Sequence, residues 1–142
     1  METLGMKRGF GLGLFAIAVA GAASAAEPIP IRTPIASFTI APSKPVSRVE
    51  TNRVDFAPGQ VMPAHVHPVP VICFVSKGDF LVSIGDAPER RAPFGSATYE
   101  PAGVTVHAFK NASATDPAQL NCALLAGRDD KVLSVMLGAG VR

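Results

Sequence analysis

Glycine and proline interrupt this chain so often that only short, frequently turned elements can form. Thirteen of each fall among 142 residues, with no repeat period. Proline fixes φ and removes a backbone donor, while glycine favours turns, so long helices are ruled out. The intervals between them are strand-sized. Val46 to Phe56 ends at Pro58-Gly59, Val61 to His67 follows, Val69 to Ser76 ends at Lys77-Gly78-Asp79, and Phe80 to Ile84 ends at Gly85-Asp86. After a loop from Ala87 to Phe94, Ser96 to Glu100 precedes Pro101-Ala102-Gly103, Val104 to Lys110 precedes Asn111, and Gln119 to Leu125 precedes Gly127. A strand roughly every ten residues is the rhythm of an all-β sandwich or barrel. Only Asp129 to Leu137 has the length for a helix, and it serves equally as one last strand before Gly138 and Gly140.

Apolar residues make up 48% of the chain and charged residues 17%, which excludes a disordered chain and permits one packed core. The basic residues are scattered, with only Lys7-Arg8 and Arg90-Arg91 adjacent, and the formal charge is +2. A nucleic-acid partner is therefore not expected.

Residues 1–26 read as a secretory signal peptide: Lys7-Arg8, then the apolar run Gly9 to Ala20, then Ala23-Ser24-Ala25 as an A-x-A cleavage pattern. The run is shorter than the roughly 20 residues a spanning helix needs, so no stable membrane anchor is expected after cleavage, and the location is periplasmic or secreted. Cleavage would lower the formal charge to +1, because Glu2, Lys7 and Arg8 leave together. The rest divides into a Pro-rich arm (27–45) with one strand-like stretch from Ile35 to Ile40, a barrel (46–126) and a tail (127–142).

The chain has three histidines, His65, His67 and His107. Residues two apart in a strand share a face, so His65 and His67 project to one side about 7 Å apart, a span one metal ion can bridge. A third imidazole from another strand would complete a facial set, suited to Fe, Mn, Zn, Ni or Cu. Around them, Gly59, His65, His67 and Gly78 match the pattern G-x5-H-x-H-x3,4-E-x6-G, and Gly95, Pro101, Gly103, His107 and Asn111 match G-x5-P-x-G-x2-H-x3-N. In these residues the chain resembles a small single-domain cupin, over roughly Val46 to Ala126.

That resemblance implies a double-stranded β-helix, or jelly-roll barrel, with one divalent transition metal held by His65, His67 and His107 in its lumen. Two departures stand out. Three residues rather than two separate Gly103 from His107, a difference that a β-bulge or a longer turn absorbs. The family's Glu falls at Val71, and no acid lies between His67 and Asp79. The ligand set thus reduces to three His, similar to the thiol and diketone dioxygenase branches. Glu100 and Gln60 stand beside motif turns as replacements, though each reads first as a surface residue.

By strand parity the resemblance places Val71, Cys73, Val82 and Phe109 in an apolar pocket, with Val61, Val75 and Phe80 or Leu81 beside them. Cys122, in the final strand, would neighbour Cys73, so the two form either a cross-strand disulfide suited to an exported protein or two small buried hydrophobes. The resulting expectation is an exported metal-binding cupin taking a small organic ligand. It acts either as an oxygenase, isomerase or decarboxylase, or as a non-catalytic binding or sensing module. The Pro-rich arm could cover a sheet edge or swap into a partner, giving a homodimer.

Overall fold

The computed structural model describes residues 29–138. The signal-peptide reading of residues 1–26 lies outside them. The unit that carries the barrel begins at Thr33. Its strands follow the sequence segments: β1 (Arg48–Phe56), β2 (Val61–Met62), β3 (His65–Val66), β4 (Val71–Lys77), β5 (Phe80–Ile84), β6 (Arg90–Ala92), β7 (Ala97–Glu100), β8 (Thr105–Asn111), β9 (Ala118–Ala126) and β10 (Val135–Met136). No helix forms among the described residues.

All pairings are antiparallel. One sheet runs β1-β9-β4-β7; the other runs β10-β3-β8-β5-β6, with β2 also paired to β8. Alternation decides which face is buried. Val71, Cys73 and Val75 of β4 and Leu120, Cys122 and Leu124 of β9 point inward, while Phe74 and Asn121 point out. They meet Phe80, Val82, Val106 and Phe109 from the opposite sheet in one apolar core. Phe80 packs edge-on against both Phe56 and Phe109, with ring centroids 5.0 and 5.7 Å apart. Each such buried aromatic or branched side chain contributes about 1.5–3 kcal/mol of transfer free energy. This is the jelly-roll architecture expected of the chain.

Several local expectations change. Pro63 and Ala64 split the segment Val61 to His67 into two two-residue strands, because proline cannot donate to a ladder. A consequence is that Val61 is exposed and Met62 faces inward. The stretch Ile35 to Ile40 forms no strand, although Phe38 stacks on Tyr99 at 5.5 Å. The loop Ala87 to Phe94 contains β6. The tail is part of the barrel rather than an appendage: Val135 and Met136 pair with Val66 and His65. Arg48 donates to the carbonyls of Gly127 and Asp130, fastening the start of that segment to β1.

Turn residues hold the strands in register. Gly78, between β4 and β5, has φ +66°, and a Cβ there would lie 2.9 Å from Cβ of Ala118. Asn111 is fully buried, donates to the carbonyls of Ala57 and Asp116 and accepts from Ser113 N–H. Its place in the motif is thus explained by loop closure.

Candidate metal centre

His65 opens its short strand with its side chain in the barrel, 7% exposed. Its Nδ1 lies 2.9 Å from the carbonyl oxygen of Pro63. His67, just past β3, has its Nδ1 2.6 Å from the carbonyl of Leu133 in the tail. A carbonyl oxygen only accepts, so each Nδ1 carries its proton and donates it. In the neutral imidazole this leaves each Nε2 as a bare lone pair. Both Nε2 atoms face Oε2 of Glu100, at 3.7 Å from His65 and 3.1 Å from His67. The two rings stand nearly perpendicular, 84° apart with centroids at 4.9 Å.

Glu100 is 2% exposed, and Oε2 accepts no hydrogen bond of good geometry. It reaches the cluster because β7 alternates: Thr98 and Glu100 face in while Ala97 and Tyr99 do not. Cross-strand register then sets Glu100 directly opposite Val71. The carboxylate missing from position 71 is supplied by the partner residue on the neighbouring strand.

His107 is not in the cluster, which corrects the expected three-His set. In β8, Val106 is fully buried and His107 is exposed. The cause is the extra residue after Gly103. Ser83 pairs with Ala108 and Ile84 with Val106, so His107 is skipped as the unpaired residue of a β-bulge. Position 106, the second residue after the Gly103-Val104 step at which the motif places its His, holds a valine paired to His65. Across the bulge the parity inverts: even-numbered Val106 is buried before it, odd-numbered Phe109 and Asn111 after it.

The donor set fits a metal ion. Two ligands bound at about 2.0–2.2 Å to one ion lie roughly 3.0 Å apart at right angles and roughly 3.4 Å apart in a tetrahedron. The separations of 3.1 and 3.7 Å fall in and just beyond that range, and the donor atoms of all three residues lie within 4.8 Å of one another. Imidazoles that donate Nδ1–H to carbonyls are the usual outer support of His–metal bonds. Metal-free, a proton relieves the convergence instead. The Glu100 side chain raises the pKa of His65 above its ordinary value, against an opposing burial effect. Burial pushes Glu100 up, yet the adjacent His65 and His67 rings, which donate to it and pair with its charge when protonated, bring it below the usual carboxylate range.

The cluster lies in a cavity of about 170 Å³, walled by Val54, Phe56, Met62, Val71, Phe109, Leu120 and Leu124, with Asn52, Ser134 and Met136 at its exposed mouth. Of the expected pocket residues, Val71, Cys73 and Phe109 line this cavity, whereas Val82 is buried in the core away from it. Val75 and Phe80 are likewise core residues. Cys73 and Cys122 are directly opposite in register and joined by a disulfide that forms part of the wall. The disulfide sulfur has no proton to donate, so its 3.4 Å approach to Oε1 of Glu100 is a packing contact. Glu100 was legible only as a candidate beside a turn; the usable signal was the alternation of Ala97–Glu100, which gives Glu100 the parity of buried Thr98.

No curated protein matches the chain. Among solved structures, oxalate oxidase in complex with the substrate analogue glycolate aligns over 63% of this chain at 29% identity with TM-score 0.54. The alignment takes in 46% of that protein, so this chain spans under half its length. The DMSP lyase DddQ from Ruegeria pomeroyi DSS-3 aligns over 62% of this chain and 42% of its own, at 22% identity and TM-score 0.54, a likeness of fold. A sequence profile described as Cupin domain matches residues 52–124, just over half of the chain, and with the barrel and its His-lined cavity this establishes that the protein belongs to the cupin family.

Proposed function

We propose that this protein is an exported cupin that holds one divalent transition metal through His65, His67 and Glu100 and binds a small organic ligand in the adjoining cavity. One observation carries the reading. Three acceptor atoms converge, two of them imidazole lone pairs whose tautomer is set by the Pro63 and Leu133 carbonyls, and no N–H or O–H of good geometry lies between them. Two His and one carboxylate form the facial set associated with non-haem iron and dioxygen, and Fe, Mn, Zn, Ni and Cu all suit imidazole. A metal bound there supplies Lewis-acid or oxygen chemistry. The chain's own residues position and enclose the ligand, since no other acid or base lines the cavity among the described residues. That absence favours an oxygenase over acid–base isomerisation or decarboxylation. The similarity to oxalate oxidase supports a small oxygen-donor ligand, and a disulfide accords with an oxidising compartment.

Titration calorimetry on stripped protein with each of these metals tests the proposal. The expected result is one equivalent of metal, with affinity falling at least 100-fold in Glu100→Gln and His67→Ala and unchanged in His107→Ala. Absence of stoichiometric binding, or equal losses in His107→Ala and His67→Ala, would refute it. Oxygen uptake by the iron-loaded protein with thiols, diketones and phenolics separates an oxygenase from a binding or sensing module.

A further inference from the structure

Resting on the metal site proposed above, we infer that the cavity selects a small organic monoanion with one charged end and an apolar body, and rejects dianions such as dicarboxylates. The inference starts from charge. A divalent ion less the single negative charge of Glu100 leaves one positive charge at the cavity floor. The walls add none: among the described residues no Lys or Arg lines the cavity. Within β1, Arg48 is the basic residue that shares a face with Asn52, four residues before it. Its guanidinium is committed to Glu50 at 2.8 Å and to the carbonyls of Asp130 and Gly127. A monoanion therefore neutralises the floor, while a neutral ligand leaves a buried charge uncompensated.

Size and polarity define the rest of the ligand. The cavity volume of about 170 Å³ is close to the roughly 150 Å³ apolar cavity that accommodates benzene. Val54, Phe56, Phe109, Leu120 and Leu124 surround it with hydrocarbon. Among the described residues, the only polar side chains lining the cavity beyond the cluster are Asn52 and Ser134, both at the exposed mouth. A second carboxylate on the ligand would be buried against those hydrocarbon walls with no cationic side chain to pair it, and an unpaired buried charge is strongly unfavourable. The apolar body of a monoanion instead gains by burial.

The test uses zinc-loaded protein, which is redox-silent, with metal content confirmed by elemental analysis. Two ligands sharing an α-hydroxy-acid head are titrated calorimetrically: 2-hydroxy-4-methylpentanoate, with an apolar tail, and malate, with a carboxylate tail. The expected result is at least tenfold tighter binding of 2-hydroxy-4-methylpentanoate. Asn52→Arg, a change at an exposed position, is expected to narrow that preference at least tenfold by giving the second carboxylate a partner. Equal or inverted preference in the wild type, no binding of either acid to zinc-loaded protein, or an unchanged preference in Asn52→Arg overturns the inference while leaving the metal site standing. Failure to take up zinc or any other of the metals overturns both.

Discussion

Opening the Cys73–Cys122 disulfide should cost more stability than any single exposed substitution, and its cost can be worked from the chain. The bond joins β4 to β9 across a sequence separation of 49. In the chain-entropy treatment, closing a loop of about 50 residues removes roughly 14 cal/mol/K from the unfolded ensemble, or about 4 kcal/mol at 25 °C. The barrel-bearing unit runs from Thr33 to Arg142. At about 2.1 cal/mol/K per residue its unfolding entropy is roughly 0.23 kcal/mol/K, so reduction should lower Tm by about 15–20 °C. Both cysteines are buried, so the bond is reduced in denaturant and the protein refolded under dithiothreitol. Circular dichroism melts of oxidised and reduced protein give the shift, and alkylation after unfolding counts thiols in each sample. Reduction keeps every heavy atom, so no cavity term enters, whereas Cys73→Ala with Cys122→Ala adds one. A Tm change below about 4 °C, with the thiol counts confirming a bond first closed and then open, would show that the bond does not restrict the unfolded chain to the extent its loop length predicts.

Two further expectations follow from backbone and charge. Gly78→Ala should cost about 2–4 kcal/mol, because a positive φ and a 2.9 Å approach to Ala118 Cβ act together; Gly59→Ala, with the same φ but nothing within 4 Å, should cost only about 1–2 kcal/mol in a urea titration. The metal-free protein should be more stable near pH 5.5 than near pH 8. A raised His65 pKa contributes below the unfolded value of 6.5 and is lost as pH rises through the folded pKa, while a lowered Glu100 pKa contributes above 4.5 and is lost as pH falls. Metal binding needs neutral imidazole, so the Tm gain from added metal should run the other way, larger at pH 8 than at pH 5.5, with protons released on binding. The opposite order in either series would argue against the geometry at Glu100.

Strand count and turn positions were readable because they depend on local chemistry: glycine and proline break the chain, and apolar alternation marks the faces. His65 and His67 were readable for the same reason, since residues two apart in one segment share a direction whatever else the chain does. The tail was ambiguous because its nine residues satisfy a helix and a strand alike. What settles it is a nonlocal partner: β3 takes the backbone groups of Val135 and Met136, and His67 takes the carbonyl of Leu133.

Local residue chemistry was enough to specify a cupin barrel, with its motif glycines, its imidazole pair and an absent acid at Val71. The remainder of the site came from contacts made in the folded chain. A single extra residue after Gly103 left His107 outside in a bulge, because inserting one residue into a period-two strand reverses the direction of the next side chain. Glu100 entered the cluster because β7 lies beside β4 in the register that sets it against Val71. Pairing between strands far apart in the chain is chosen by the packing of the whole barrel, and no local stretch of residues encodes it alone.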